Sequence, residues 1–304
     1  MKIASLLPSA TEIVCALGLG DALVGISHEC DYPPEVVGRP ILTEAKVDAR
    51  RDSATIDAAI RQLVRDGLSV YRLKTDVLER LRPDLIVTQE QCEVCAVSYR
   101  DVVAATRQLL SQPATIVSLK PSRLDDIFDD VQRVADAAQR SEAGVELVAQ
   151  LRARIEAIRL RATSVQSRPR VACIEWMEPL MVAGNWVPEL VELGGGSCKM
   201  VSPGSRSPTV SWDDLLTAAP DVIIIMPCGF KLPQTQRDLP RLTTQPQWCQ
   251  LPAVRNRRVY AVDGNAYLNR PGPRIAESAE LLAGLIQPGV FAAGIPPGSY
   301  VRVE

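Results

Sequence analysis

The sequence predicts an α/β fold of two similar lobes, each with a mainly parallel sheet, joined by one long spanning helix. Three observations support this prediction. The chain has 304 residues, which is long for a single hydrophobic core and favours two domains. Short β-rich runs alternate with helical stretches, as they do in βα units. Residues 81–87, LRPDLIV, recur as residues 218–224, AAPDVII, which indicates an internal repeat.

The strands are predicted from short apolar runs rich in β-branched residues. In the first half these runs cover residues 2–7, 22–27, 84–88 and 114–119. In the second half they cover residues 170–176, 180–183, 221–226 and 258–262.

Helix boundaries are also readable. Ser9 and Glu12 have the spacing of a capping box, which predicts a helix over residues 10–17 that ends at Gly18. Further helices are predicted over residues 57–66, 75–81, 98–110, 124–138 and 187–193.

One stretch differs from the rest, because it is long and contains no proline. Between residues 141 and 163 the apolar positions recur at spacings of three and four, which places them on one helix face: Val148, Leu151, Ile155, Ile158 and Ala162. This pattern predicts the spanning helix. The chain then divides into an amino-terminal lobe (1–140), the inter-lobe helix (141–166) and a carboxyl-terminal lobe (167–304).

Composition excludes several classes of function. The net charge of −2 leaves no basic field for nucleic acid or acidic lipid, and no apolar run approaches the length of a membrane span. We therefore expect no nucleic-acid partner and no membrane insertion. The first residues lack the apolar stretch of a secretory signal. The expected location is cytoplasmic, or periplasmic or extracellular if the natural chain has been trimmed ahead of Met1.

In open α/β sheets, ligands bind outside the carboxyl ends of the strands. Several of the few aromatic residues fall in the loops predicted there, where they would cover a flat or apolar ligand. Polar neighbours would bond its edges. The candidate ligand-binding residues are Ser9, Tyr32, Glu175, Trp176, Asn185, Trp186, Phe230, Asn265, Tyr267 and Arg270.

The same loops hold His28, Cys30, Cys92, Cys95 and Cys228. Imidazole and thiolate together suit a borderline-soft metal, so these five residues are candidate metal ligands. Cys92 and Cys95 form a CxxC ahead of a predicted helix, whose dipole lowers a thiol pKa. Metal ligation, a redox dithiol and simple packing all remain open for this pair.

Enzyme motifs are missing from the sequence. It contains no GxGxxG, GxxxxGK[ST], HExxH or GxSxG pattern, and its one histidine leaves no His-based triad or multi-His metal site. We therefore expect a binding protein and not an enzyme. A thiol oxidoreductase using Cys92 and Cys95 is the alternative from the enzyme class.

Several segments resemble the helical-backbone substrate-binding proteins, which serve ABC importers for cobalamin, haem and siderophores. These are IASLLPSATE at residues 3–12, LGLG at 17–20, LRPDLI at 81–86, APDVI at 219–223 and LPAV at 251–254. The chain is most similar to the cobalamin-binding group, and SHECDYP at 27–33, QCEVCAV at 91–97 and MPCGF at 226–230 resemble its Cys-bearing subgroup. The resemblance implies two rigid lobes, a ligand in the cleft between them, and an ABC permease as a candidate partner.

Two hypotheses follow. The first is reversible binding of cobalamin, another corrinoid or a related metal chelate in the cleft, without chemistry, with His28 or a cleft thiol as the axial ligand to cobalt. The second is an intracellular metal protein on the same scaffold, whose cleft cysteines hold zinc, copper or an iron–sulfur cluster.

Overall fold

The computed structural model of the protein describes residues 1–66, 68–90, 98–109, 114–291 and 295–304. The chain divides into two compact units. Unit 1 comprises Met1–Ala49, Ala58–Pro121 and Asp125–Gln150, and unit 2 comprises Arg50–Asp57, Ser122–Leu124 and Leu151–Glu304. This division differs from the predicted boundaries, because two short segments of the first half of the chain belong to unit 2 and the predicted inter-lobe helix is divided between the units after Gln150.

Unit 1 contains a four-stranded parallel sheet. Its strands are β1 (Ile3–Ser5), β2 (Leu23–Gly25), β5 (Leu85–Gln89) and β6 (Thr115–Leu119), in the order β2-β1-β5-β6. A separate antiparallel pair is formed by β3 (Thr43–Ala45) and β4 (Tyr71–Leu73). The sequence pattern missed this pair, because three residues are too few to show an alternation.

Helices cover both faces of this sheet, as a buried parallel sheet requires. The helices that begin in the first half of the chain are α1 (Pro8–Ala16), α2 (Ser53–Arg65), α3 (Thr75–Leu81), α4 (Tyr99–Leu109), α5 (Leu124–Ala137) and α6 (Ser141–Arg161). Ile3 and Val87 pack in one apolar cluster with residues of α1 and α5, whereas Ala4 and Ile86 pack in another with residues of α3 and α4.

The predicted capping box at Ser9 is wrong. The α1 helix begins at Pro8, its N-cap is Leu7, and no side chain caps it. Pro8 explains the earlier start, because a proline suits the first helical position, where its missing N–H is not needed. Ser9 and Glu12 therefore lie inside the helix. The predicted end is right, since Gly18 adopts a positive φ of 74°.

Unit 2 contains a five-stranded mixed sheet. Its strands are β7 (Val171–Trp176), β8 (Met181–Val182), β9 (Val222–Ile225), β10 (Val259–Val262) and β11 (Tyr300–Arg302), in the order β11-β10-β9-β7-β8. The three central strands run parallel. The edge strands β8 and β11 run antiparallel to their neighbours, and β11 was not predicted.

The helices of unit 2 pack around this sheet. They are α7 (Val187–Leu193), α8 (Trp212–Ala218), α9 (Leu232–Asp238), α10 (Pro240–Thr243), α11 (Pro252–Arg255), α12 (Ile275–Ile286) and α13 (Pro288–Phe291). A full capping box joins Ser211 and Asp214 at the start of α8, where each side chain bonds the backbone N–H of the other residue. None of the helices in the described part of the chain combines the length and apolar character needed to cross a membrane.

The predicted repeat is confirmed at the level of hydrogen bonds. In unit 1, Asp84 follows a left-handed residue and a proline, and its Oδ2 accepts from the backbone N–H of Lys2 at 2.7 Å. In unit 2, Asp221 occupies the same place, and its Oδ2 accepts from the backbone N–H of Arg170 at 2.9 Å. The backbone N–H of each Asp also donates to the carbonyl of that same Lys2 or Arg170. The two α/β units therefore share one local design.

The long helix α6 is also confirmed. It runs from Ser141 to Arg161 and contributes residues to both units. The predicted apolar stripe is buried at Leu151, Ile155, Ile158 and Ala162 and partly buried at Val148. A spacing of three and four residues thus identified the face that packs.

Candidate ligand-binding site

The four parallel strands of unit 1 end at one edge of their sheet, and most of the residues predicted for this unit follow those ends. Ser9 is buried in the first turn of α1, with 2% of its surface exposed, whereas Tyr32 is 42% exposed. His28 and Cys30 follow β2. Cys92 and Cys95 lie outside the described residues.

His28 is held by the first residue of β3. Its Nδ1 lies 2.7 Å from Oγ1 of Thr43, and its backbone N–H donates to the same oxygen at 3.1 Å. Ser27 Oγ lies 2.9 Å from Thr43 Oγ1 and completes the group. The imidazole is therefore fixed through Nδ1, while the side chain as a whole remains exposed.

The strand β4 supplies the second support of His28. The ring of Tyr71 lies 5.4 Å from the imidazole, centroid to centroid, and its hydroxyl donates to Glu29 Oε1 at 2.8 Å. Partial loss of solvent lowers the pKa of His28 below its ordinary 6.5, the charge of Lys74 lowers it further, and Glu44 opposes both. The imidazole is thus neutral at neutral pH.

Cys30 has the surroundings of a core residue. Only 8% of its surface is exposed, and it packs with Ile3 and Leu7 in an apolar cluster of unit 1. Its Sγ lies 3.0 Å from Oγ1 of Thr11, within hydrogen-bond distance. The structure therefore does not present Cys30 beside His28 as a ligand. Among the residues that the structure describes, no three His, Cys, Asp or Glu side chains are grouped as a metal site would need.

In unit 2, the ends of β7, β9 and β10 share an edge, and two predicted aromatic residues meet there. Trp176 is the last residue of β7, and its ring lies 5.2 Å from that of Phe230 in an edge-to-face arrangement. Phe230 is buried with 2% exposure, whereas Trp176 is partly exposed. Phe230 therefore supports the indole of Trp176, which is the ring available to a ligand in this pair.

Glu175 precedes Trp176 and is bonded by a hydroxyl that the sequence had not indicated. Ser207 Oγ donates to Oε2 of Glu175, and the backbone N–H of Gly184 donates to Ser207 Oγ at 3.0 Å. Burial raises the pKa of the Glu175 carboxyl above its ordinary 4.5, and the bonds from Ser207 and Gly184 oppose this only in part. Ser207 lies outside every strand and helix that the sequence predicts.

The strand-end argument does not apply to Asn185 and Trp186. It assumed a parallel strand, but β8 pairs antiparallel with β7 as a hairpin partner. Trp186 is buried with 6% exposure, and its Nε1–H donates to the carbonyl of Leu268 at 2.8 Å. Asn185 takes a positive φ of 52° and bonds through its backbone to residues 204 and 205. Both have structural roles, and a ligand contact by either stays a prediction.

The remaining predicted residues follow β9 and β10. Arg270 is buried with 5% exposure and donates to Asn265 Oδ1 at 2.9 Å, so these two polar groups are already engaged with each other. Tyr267 is partly exposed, and the guanidinium of Arg274 lies 5.9 Å from its ring centroid. Cys228 is partly exposed, and its backbone N–H donates to the carbonyl of Glu175.

Two curated proteins illustrate what this sequence is similar to. A vitamin B12-binding protein of Vibrio cholerae is 27% identical over 281 residues, which covers 92% of this chain and 86% of that protein. An uncharacterised ABC transporter substrate-binding lipoprotein of Bacillus subtilis is 23% identical over 301 residues, covering 95% and 81%.

Solved structures agree with these relatives. The periplasmic vitamin B12-binding protein of Vibrio cholerae has 25% identity and a TM-score of 0.64, covering 94% of this chain and 96% of that one. A periplasmic haem-binding protein of Roseiflexus sp. RS-1 has 24% identity and a TM-score of 0.70, covering 95% and 98%. The second likeness shows the fold alone.

The relatives also bear on two expectations from the sequence. They are named for binding or transport and not for a reaction, in agreement with the expected binding protein that is not an enzyme. They are described as periplasmic or as a lipoprotein, which does not support the expected cytoplasmic location. The match to the periplasmic binding protein family covers residues 3–266. The chain therefore belongs to the periplasmic binding protein family.

Proposed function

We propose that this protein reversibly binds a corrinoid or a haem-type metal chelate, without chemistry, and delivers it to an ABC permease from the periplasmic side of a membrane. The observation that carries the proposal is the likeness to the vitamin B12-binding protein of Vibrio cholerae, which extends over 92% of the chain. The cleft that the resemblance implies stays a prediction.

The strand-end residues of unit 2 suit such a ligand. Corrinoids and haems combine a broad apolar ring with polar groups at its rim. A partly exposed indole supported from behind by Phe230 offers a rigid apolar face, of the kind that stacks on flat ligands. The same strand end carries polar groups, because the Glu175 carboxyl accepts from the Ser207 hydroxyl there. Apolar area with a few placed polar groups is the usual composition of a small-molecule site.

The alternative of an intracellular zinc, copper or iron–sulfur protein has no support in the described residues. Cys30 is part of an apolar cluster. Burial raises the pKa of Cys15, Cys173 and Cys198, which disfavours the thiolate that metals require. The relatives are described through vitamin B12 or haem and not through a metal cluster. We therefore do not propose it.

The test is a titration of the purified protein with cobalamin, cobinamide and haemin, followed by visible absorbance and calorimetry. We expect at least one of them to bind with a Kd in the micromolar range or tighter. Replacing Trp176 by Leu should weaken that binding about tenfold, because a leucine lacks the flat face.

Phe291→Leu is the matched control, since it makes the same aromatic-to-leucine change in α13. That helix follows Gln287, whose side chain donates to the carbonyls of Ser167 and Gly195. Ser167 precedes the first residue of β7, whereas Trp176 is the last residue of that strand. The control should bind within about twofold of the unmodified protein, as most positions away from a binding hot spot do. No heat and no spectral change with any of the three ligands would refute the proposed function.

A further inference from the structure

We propose that His28 recognises the metal of the ligand itself, by taking a replaceable axial coordination position on a tetrapyrrole metal through Nε2. The inference rests on the proposed function and deepens it, because it names the ligand class as tetrapyrroles whose metal has an exchangeable axial site. It assigns that role to one residue of unit 1.

The first support is the way the imidazole is held. Metal-binding histidines usually present one ring nitrogen to the metal and hydrogen-bond the other, which fixes both the tautomer and the orientation of the ring. His28 Nδ1 lies 2.7 Å from Thr43 Oγ1, and the backbone N–H of His28 bonds the same oxygen. The side chain is nevertheless exposed, so it is tethered at one nitrogen and accessible.

The hydrogen-bond balance of Thr43 permits the tautomer that ligation needs. A threonine hydroxyl has two acceptor lone pairs and one hydrogen. The backbone N–H and the Nδ1–H of His28 can occupy both lone pairs, and the hydroxyl hydrogen can then go to Ser27 Oγ, 2.9 Å away. Nδ1 carries the proton in this arrangement, which leaves the Nε2 lone pair for a metal.

The second support is the packing that holds the ring in place. Tyr71 lies against the imidazole with ring centroids 5.4 Å apart, and its own hydroxyl is anchored on Glu29. Thr43 and Tyr71 stand on the paired strands β3 and β4, where Thr43 faces Leu73 and Ala45 faces Tyr71. A two-stranded platform thus fixes a histidine at the end of β2, which is more than a surface histidine requires.

The thiol nearest to His28 in the sequence does not compete for this role. Cys30 is buried in the apolar cluster, and its Sγ lies within hydrogen-bond distance of Thr11. Cys228 of unit 2 is partly exposed, so its coordination is one of the outcomes that the experiment separates.

The proposed step is a simple ligand exchange. A water molecule leaves the axial position of the metal, and the Nε2 lone pair forms the new metal–nitrogen bond. The oxidation state of the metal does not change, and the Nδ1 proton stays in its bond to Thr43. Tetrapyrroles whose axial positions are both blocked by strong ligands should therefore gain nothing from His28.

The experiment exploits the single histidine of the chain. Protein made without a histidine tag is loaded with cobinamide reduced to Co(II), and its electron paramagnetic resonance spectrum is recorded. We expect a three-line splitting from one axial ¹⁴N. Labelling the protein with ¹⁵N-histidine should turn this into a two-line splitting, which only His28 can produce.

Binding measurements provide the second readout. His28→Ala should weaken binding of diaquocobinamide at least about tenfold and leave binding of dicyanocobinamide unchanged, because cyanide fills both axial positions. Thr43→Val should weaken diaquocobinamide binding by about tenfold through loss of the tether, and Thr43→Ser should restore it. Unchanged dicyanocobinamide binding also shows that each variant is folded.

Three results would overturn the assignment. One is bound Co(II)-cobinamide without the ¹⁵N-sensitive splitting, and another is equal diaquocobinamide binding by the unmodified protein and His28→Ala. The third is a thiolate spectrum that disappears in Cys228→Ser. In all three cases the protein still binds a corrinoid, so the proposed function survives. If the unmodified protein binds no cobinamide, cobalamin or haem at all, the proposed function fails and this inference fails with it.

Discussion

The two units use the same loop to enter a central strand and then diverge. In each, a left-handed residue and a proline precede an aspartate that accepts from the residue just ahead of the first strand of that unit's sheet. In unit 2 the side chain of Arg170 also bonds Asp221, with N–O distances of 3.0 and 2.9 Å. In unit 1 the carboxylate of Asp84 accepts from the backbone N–H of Lys2, and the backbone N–H of Asp84 donates to the Lys2 carbonyl.

The strand ends differ more than the strand starts. Unit 1 places a tethered, exposed histidine beyond β2. Unit 2 instead has a carboxyl and an indole in the last two residues of β7, and the indole packs against Phe230, which follows β9. The comparison teaches that the repeated part of the sequence encodes the scaffold, and that the unrepeated loops carry the chemistry. This agrees with the general separation of fold from function.

The largest expected effect is a loss of stability when a methyl group is added to a glycine that is packed against backbone. A Cβ on Gly184 would collide with the carbonyl oxygen of Ser205 and with backbone atoms of Arg206 and Ser207. Backbone cannot rotate away, so Gly184→Ala should lower the free energy of unfolding by about 3 kcal/mol or more. Gly25→Ala in unit 1 would meet only side-chain carbons of Leu42 and Leu81, at 2.7 and 2.8 Å.

Those leucine side chains can shift, so Gly25→Ala should cost about 1–2 kcal/mol. Gly289→Ala is the control, because nothing lies within 4 Å of its Cβ position. Urea unfolding measures all three. If Gly184→Ala and Gly25→Ala lowered the free energy of unfolding equally, the distinction between backbone clashes and side-chain clashes would be contradicted.

The second prediction concerns the buried carboxyl of unit 2. Since burial raises the pKa of Glu175, its neutral form is favoured in the folded protein. Its contribution to stability is therefore complete below the unfolded pKa and is lost as pH rises through the raised folded pKa. Glu175→Gln keeps the size of the side chain and cannot ionise. The free energy of unfolding of this variant should fall less than that of the unmodified protein over the window from about 4.5 upward.

Urea unfolding at closely spaced pH values measures this slope. Asp221→Asn is a control of opposite sign, because the bond from Arg170 lowers the pKa of Asp221. The stability that Asp221 contributes is present above the unfolded pKa and is lost as pH falls through the folded one. Parallel pH curves for Glu175→Gln and the unmodified protein would show that the carboxyl is not desolvated as described.

The third prediction concerns the start of α8 in unit 2, which a side chain caps, whereas no side chain caps α1 in unit 1. Ser211 caps α8 through the N–H of Asp214 at 3.1 Å, and Asp214 Oδ2 accepts from the N–H of Ser211 at 2.8 Å. Ser211→Ala should cost about 1 kcal/mol, the usual value for a lost N-cap. Ser211→Asn should recover most of it, because asparagine also caps well. Thermal unfolding checks both, and an unaffected Tm in Ser211→Ala would show that the box adds nothing.

The sequence predicted the scaffold well because its signals are periodic. A spacing of three and four residues found the buried face of α6, and the repeated Pro-Asp found both entry loops. The sequence pattern did not reveal features that are very short or that depend on residues far apart in the chain. Three-residue strands such as β3 and β4 show no alternation, and the Ser-x-x-Glu spacing at Ser9 occurs inside a helix as well as at its start.

The candidate site was predicted only in part, since its partners are far apart in sequence. His28 was identified, but Thr43 follows it by 15 residues, and no local rule joins the two. Glu175 was identified, whereas Ser207 lies 32 residues further along. The direction of β8 depends on its pairing with β7, so the strand-end argument for Asn185 and Trp186 depended on contacts that the sequence did not reveal.

The smallest expected effect is a difference in Tm between matching substitutions in the two repeated loops. Asp84→Asn and Asp221→Asn both remove a carboxylate, and an amide oxygen can still accept the backbone N–H of Lys2 or Arg170. Only Asp221→Asn also breaks a two-bonded pair with a guanidinium. That pair is partly exposed on both sides, and water and salt screen exposed pairs strongly. Asp221→Asn should therefore lower the Tm by no more than about 2 °C beyond the effect of Asp84→Asn.

This excess in Tm loss should shrink as salt is raised, because screening weakens the ion pair and leaves the shared backbone bond intact. Calorimetric scans of both variants at low and high salt measure the difference. If the excess does not depend on salt, the extra stabilisation in unit 2 comes from packing around Arg170 and not from its charge.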